Sequence, residues 1–283
     1  MAGPTSRGRP SAPDPLPVQV VDNHVHLDHA REGEEPVDVG AAVADAAAVG
    51  VDRLVQIGCD LPGARFTVAV VDQYAAVLGG VSLHPNEVPR LAGRGELAAA
   101  LAEIDRLARH PRVRVVGETG LDYYRTGPAG RPAQQDAFRW HIDLAKRTGK
   151  VLQIHDREAH DDVLRILAEE GAPRHTVLHC FSGDLSMART AIERGYLLSF
   201  AGPVTFKNAT ALRNALAVTP LEQVLVETDA PYLAPHPWRG ATNASYLVPL
   251  TVRSMASVLG VAVPTLCQAL STNSERVYGP WTA

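Results

Sequence analysis

The chain has 283 residues, 46% of them apolar and 20% charged, with a formal net charge of −4. That balance fits a globular protein with a large core and argues against a broad basic surface as the source of nucleic-acid affinity, while leaving room for local phosphate binding. No apolar run is long enough to cross a bilayer, no hydrophobic stretch follows Arg7 and Arg9, and the three cysteines form no CxxC pair, so a cytoplasmic chain without membrane contact is expected.

Residues 1–17 are rich in Pro, Gly, Arg and Ser, lack apolar periodicity and read as a disordered tail. Residues 18–283 read as one domain, since no linker interrupts them. Within it, short β-branched or Leu-rich runs alternate with longer Ala/Leu-rich stretches. The expected strands are 19–24, 53–57, 76–81, 114–117, 151–154, 176–178, 196–199 and 223–227. They have little internal polarity, as parallel strands covered on both faces should. Between them, Leu97, Leu101, Ile104 and Leu107 recur at helical spacing. Asp184 can cap a helix whose apolar face includes Met187, Ala188, Ala191 and Ile192, with Gly195 as its stop, and Gly171 ends another. About eight βα units predict an α/β fold of the closed (β/α)₈ TIM-barrel type, which takes roughly 250 residues. An open doubly wound sheet would want a Gly-rich phosphate loop after the first strand, where the chain has Asp22-Asn23-His24-Val25-His26.

The ends of these strands carry the chemistry. His24 and His26 stand two apart, so a strand puts both imidazoles on one face, and Asp22 shares that face to orient a ligand or contact metal itself. Glu118, His155, His179 and Asp229 each follow an expected strand, on the rim where active sites of this fold lie. Each has an ordinary alternative: a packed histidine, or a carboxylate capping a helix. Jointly they do not, because charge gathered at one end of a barrel is costly without a counter-ion. Neutral imidazoles bind zinc and related metals, a carboxylate can bridge two ions, and bound metal lowers the pKa of water to about 7. His84 after the third strand is a candidate substrate contact, and Arg157, Lys207 and Arg239 lie in loops on the same rim and are candidates to bind phosphate. Tyr123 and Tyr124 either wall the cleft or pack. Cys180 has no base beside it and reads as a small buried residue.

Seven segments together resemble one family. They are Asp22-Asn23-His24-Val25-His26-Leu27-Asp28, Leu83-His84-Pro85, Gly117-Glu118-Thr119-Gly120-Leu121-Asp122-Tyr123-Tyr124, Ile154-His155-Asp156-Arg157-Glu158-Ala159, His179-Cys180-Phe181-Ser182-Gly183, 199–207 and 227–235. From about Val20 onward the chain is similar to TatD-type metal-dependent deoxyribonucleases, within the amidohydrolase-like barrels. The resemblance implies two divalent ions (Zn, Mg or Mn), with His24 and His26 on the first, His155 and His179 on the second, and Glu118 as the bridging carboxylate. It implies Asp229 as a first-metal carboxylate that also orients or deprotonates the attacking water. Phosphotriesterase-like relatives carry a carboxylated lysine where this chain has Glu118.

The chain departs from the family pattern at three places. Ser82 stands where the family often has Gly, and Glu158 where it has Asp. After Arg239-Gly240 the family's Lys-Arg-Asn-Glu-Pro is replaced by Ala241-Thr242-Asn243-Ala244-Ser245, which bears on substrate choice and not on the ligands. The expectation is a metal-dependent exonuclease-type DNase with DNA as substrate and no obligate protein partner. Its rivals are a hydrolase of a small ester, amide or phosphoester on the same metals, and a barrel kept for partner binding with a vestigial site.

Overall fold

The computed structural model describes residues 9–281. Eight strands lie in the order β1 to β8, every neighbouring pair parallel. They are β1 (Val20–Val25), β2 (Val51–Gly58), β3 (Val77–Val81), β4 (Val113–Asp122), β5 (Val151–Arg157), β6 (Thr176–Leu178), β7 (Leu197–Phe200) and β8 (Val224–Val226). The helices between them are α1 (Val39–Ala48), α2 (Leu61–Gln73), α3 (Val88–Gly93), α4 (Leu97–Ala108), α5 (Arg131–Thr148), α6 (His160–Glu170), α7 (Leu185–Glu193) and α8 (Thr210–Val218), with α9 (Val248–Leu259) and α10 (Val263–Tyr278) after β8. This is the expected TIM barrel. Among the described residues no single helix is long and apolar enough to cross a membrane.

Alternation within the strands makes two apolar layers. Val21, Val55, Ile57, Leu78, Val115, Val151, Val177, Leu197 and Leu225 fill the barrel, and Val277, Tyr278 and Trp281 stop its lower end. The opposite faces, such as Val116, Leu152 and Leu198, pack with Ile104, Phe138 and Ile166 of the surrounding helices. The caps follow the residue chemistry: Asp184 accepts from Met187 N at 3.0 Å, and Gly195 and Gly171 take positive φ after α7 and α6.

The two strands that carry Glu118 and His155 run further than expected. β4 continues to Asp122 and β5 to Arg157, so both residues lie within strands instead of just past them. The ladder slips between Val116 and Thr119 and resumes at Thr119↔Ile154 and Gly120↔His155. Only glycine fits this crossing: a Cβ on Gly120, at φ +133°, would lie 2.1 Å from the His155 carbonyl oxygen.

The ring shuts differently from the other seven junctions. β1 has no ladder with β8 and meets the chain just beyond it through a single bridge, Val25↔Ala230. Around it, Asp229 N donates to His24 O at 3.0 Å, His26 N to Ala230 O at 2.9 Å, and the Asn23 amide to Val226 O at 2.8 Å. Asp22 does not join the metal-facing donors. It is fully buried and accepts from Thr228 N and Oγ1 at 2.9 and 2.6 Å, tying β1 to the turn that presents Asp229. Burial pushes its carboxyl up to about 6.

The N-terminal reading needs correction. Residues 1–8 lie outside the described residues, but residues 9–17, expected within a disordered tail, are held against the barrel. Leu16 is buried and donates to Val49 O at 2.9 Å, Tyr246 Oη donates to Pro10 O at 2.8 Å, and Arg253 donates to the carbonyls of Asp14 and Pro15. A Pro-rich strap satisfies its few backbone groups from side chains on α9 and the loop before it, without apolar periodicity of its own.

Buried His141 on α5 props the β3 loop. Its Nδ1 donates to Ala137 O at 2.7 Å, and its Nε2 accepts from Leu83 N at 3.3 Å. Burial pushes this imidazole down to about 4, against about 6.5 in an unfolded chain. Between those values the unfolded state binds more protons, so this stability is present above about pH 6.5 and is lost as pH falls toward 4. It amounts to on the order of 3 kcal/mol. Urea unfolding of His141→Gln between pH 7 and 4.5 is expected to show a shallower acid loss than wild type; parallel slopes would refute this role.

Candidate metal centre

Glu118 sits at the middle of the upper rim, 4% exposed, with each carboxylate oxygen facing a different set of donors. Its Oε2 is 3.1 Å from His24 Nε2 and 3.6 Å from His26 Nε2. Its Oε1 is 2.7 Å from His155 Nδ1 and 3.2 Å from His179 Nε2. Asp229 closes the first set, its Oδ1 3.3 Å from His26 Nε2 and 3.8 Å from His24 Nε2. Asp229 holds φ +57°, a left-handed conformation that aspartate tolerates better than most residues. The six expected ligands therefore converge from β1, β4, β5, the ends of β6 and β8.

The far side of each imidazole decides which nitrogen carries its proton. His24 Nδ1 meets Gln153 Oε1 at 2.8 Å, and that amide is oriented because its Nε2 donates to Asn23 O and Tyr278 Oη, both at 2.9 Å. His26 Nδ1 meets Ile57 O at 2.9 Å. Both partners can only accept, so both Nδ1 atoms donate, and in the neutral rings the lone pairs of the two Nε2 atoms face each other 3.2 Å apart. Facing lone pairs beside two carboxylates fit a cation between them, and the donor set suits a divalent metal. His179 Nδ1 lies 3.1 Å from Glu227 Oε1, which also accepts from Cys180 N at 2.8 Å. His155 is turned the other way, with Nε2 3.2 Å from Asp122 Oδ2 and Nδ1 toward Glu118. Such partners fix ring orientation and raise ligand basicity.

Without metal, protons supply the missing charge. Burial alone would lower His26 and His179. Cys59, Asp229 and Glu118 around the first, and Glu118 and Glu227 around the second, raise both well above the usual range. Burial would raise Glu118, but His179, His84 and His155 hold it well below the carboxylate range. Asp229 is likewise kept ionised, burial being outweighed by His26, His24 and His179.

The remaining expected residues are sorted by the structure. His84 Nε2 is 3.1 Å from Glu118 Oε1, while its Nδ1 accepts from Asn86 N at 3.1 Å, so it donates to the carboxylate. Arg157 stacks on Tyr124 at 3.9 Å and Arg239 on Phe206 at 4.6 Å. Lys207 is exposed beyond β7. Tyr123 packs, its hydroxyl donating to Asp162 at 2.6 Å, and Tyr124 is the exposed ring. Cys180 is half-buried, not buried, and its thiol is pushed well up by burial and by Asp229, Glu227 and Glu118. Sequence reading missed Gln153, Glu227, Asp122 and Cys59. Gln153 and Glu227 each precede an expected ligand by two residues, and that strand alternation was the available signal.

A parallel barrel with this rim of histidines and carboxylates fits a metal-dependent hydrolase. Residues 21–279 match the family described as TatD related DNase. The chain is 46% identical over 264 residues to an uncharacterised metal-dependent hydrolase TatD of Mycobacterium tuberculosis, covering 92% of this chain and 98% of that protein. It is 37% identical to the uncharacterised metal-dependent hydrolase YcfH of Escherichia coli, covering 92% and 95%. The crystal structure of YJJV, a TatD homologue from Escherichia coli, superposes with a TM-score of 0.81 at 26% identity, covering 92% and 98%. The chain belongs to the TatD family of metal-dependent hydrolases.

Two outcomes test the centre. Metal must displace the protons that Glu118, Asp229 and Glu227 hold on His26 and His179, so affinity should tighten as pH rises from 6 to 8, with protons released on binding. Titration calorimetry in buffers of different ionisation enthalpy reads that release, and a pH-independent affinity would contradict it. Glu227→Gln should weaken metal binding by roughly 10–100-fold while the fold persists; an unchanged dissociation constant would remove Glu227 from the centre.

Proposed function

We propose that the protein is a two-metal deoxyribonuclease of exonuclease type that cleaves phosphodiester bonds in the cytoplasm. The observation that carries this reading is the division of Glu118 between two donor sets, one at each carboxylate oxygen. His24, His26 and Asp229 with Oε2 would hold one ion, and His155 and His179 with Oε1 the other. Bound divalent ions supply an activated water and a clamp on the phosphate oxygens. Asp229, ionised and beside the first set, takes the proton of the attacking water. Arg157 and Arg239, stacked on Tyr124 and Phe206, pair with phosphates on the rim, and Lys207 adds charge from the β7 loop. The family's description as TatD related DNase supports the substrate, and three free thiols support a reducing compartment.

The test is hydrolysis of single-stranded DNA labelled at either end, with Mg²⁺, Mn²⁺ or Zn²⁺. Asp229→Asn is expected to lower kcat by roughly 10²–10⁴-fold. His155→Ala is expected to remove turnover and about one equivalent of metal while circular dichroism stays unchanged. No DNA cleavage by metal-loaded wild type would reject the nuclease in favour of a small-ester or phosphoester hydrolase. Full activity in either variant would reject the assigned site.

A further inference from the structure

A cavity of about 400 Å³ lies beside the metal centre, on the β1–β8 side of the rim. His26 belongs to both. The His29 ring stacks on that of His26 with centroids 4.9 Å apart, and the cavity continues from this pair to Arg9, Pro10 and Tyr246. Its walls are mainly apolar: Val25, Leu27, Ala230 and Pro231 from the barrel, Val37 and Ala42 from the approach to α1 and α1 itself. Two further segments close the remaining sides. One is the segment 241–245, where Thr242, Ala244 and Ser245 have short side chains. The other is the N-terminal strap, with Arg9 5.0 Å over the Tyr246 ring and paired with Asp45.

The cavity's charge says what it does not bind. Glu34, Glu35, Asp38 and Asp45 line it, and its one lining arginine is already paired with Asp45. Thr242 Oγ1 donates to Glu34, and Asp38 caps α1 at Ala41 N, 3.0 Å away. A phosphate would meet net negative charge here, whereas Arg157 and Arg239 lie elsewhere on the rim. The size falls within the ~300–1,000 Å³ of small-molecule sites, and apolar walls with scattered polar groups suit a flat, uncharged, heteroatom-bearing group.

We propose that this cavity is the base subsite: it takes the nucleobase and sugar of the nucleotide whose phosphate is at the metals. The occupant rests on the nuclease reading; the exclusion of phosphate rests on the cavity alone. Arg9 and Pro10 of the strap then form part of the substrate-binding wall, and Arg9 stiffens it through Tyr246.

Ala41 is exposed on the first turn of α1 and lines the cavity, so Ala41→Trp fills the space without touching a metal ligand. Metal content and Tm are expected to match wild type. Saturation-transfer NMR with thymidine and adenosine should show contact with metal-loaded wild type and lose it in Ala41→Trp. KM for a dinucleotide should rise at least tenfold, with kcat retained within about threefold. Val37→Phe, at the cavity's outer edge, should give a smaller change in the same direction and stands in if the tryptophan variant does not fold. Nucleoside contact that disappears in the filled variant, in a protein that cleaves no DNA, would keep the subsite and reject the nuclease. DNA cleavage with equal KM in both forms, or nucleoside contact unaffected by filling, would overturn the subsite and leave the nuclease standing.

Discussion

One buried carboxylate organises this molecule. Glu118 is almost inaccessible to water and is approached by His24, His84, His155 and His179 within 3.2 Å. An anion in that position is costly unless positive charge compensates it. The surrounding donors suit a metal in that place. Gln153 and the Ile57 carbonyl commit the outer nitrogens of His24 and His26 to donation, so their inner nitrogens are available as ligands. The glycines beside Glu118 serve the same end, because β4 and β5 approach too closely there for any side chain.

The rim is also linked to the barrel's floor. Gln153 Nε2 reaches Tyr278 Oη, and Tyr278 with Trp281 stops the lower end of the barrel. The interior is thus one packed column, with apolar layers below and a charged layer on top. Catalytic geometry depends on that column because imidazoles at 0–5% exposure have no freedom to readjust if the layer beneath them shifts.

Much of this was legible in the amino-acid sequence. Apolar strands without alternation, separated by helical periodicity, identify a parallel barrel, and the candidate ligands stand where those expected strands end. What escaped has physical causes. The lengths of β4 and β5 depend on a register slip, which no local pattern encodes. The strap of residues 9–17 is held by Arg253 and Tyr246, more than two hundred residues away, so its own composition reads as disorder. Tyr123 and Tyr124 are adjacent, and only tertiary packing assigns one to Asp162 and the other to Arg157. Gln153 and Glu227 were visible as strand polarity two residues before a ligand, but buried polar residues in strands have many uses.

The seam between β1 and β8 has a consequence beyond catalysis. Seven junctions of the barrel are zipped by backbone ladders; the eighth has one bridge, a few further backbone and side-chain hydrogen bonds, and the candidate ligands His24, His26 and Asp229 facing each other across it. A metal bound there would tie the junction that has the fewest ladder bonds, and its binding energy would add to the stability of the folded barrel. Depletion of metal would therefore do more than silence the enzyme. It would also remove that contribution to the stability of the seam beside β1.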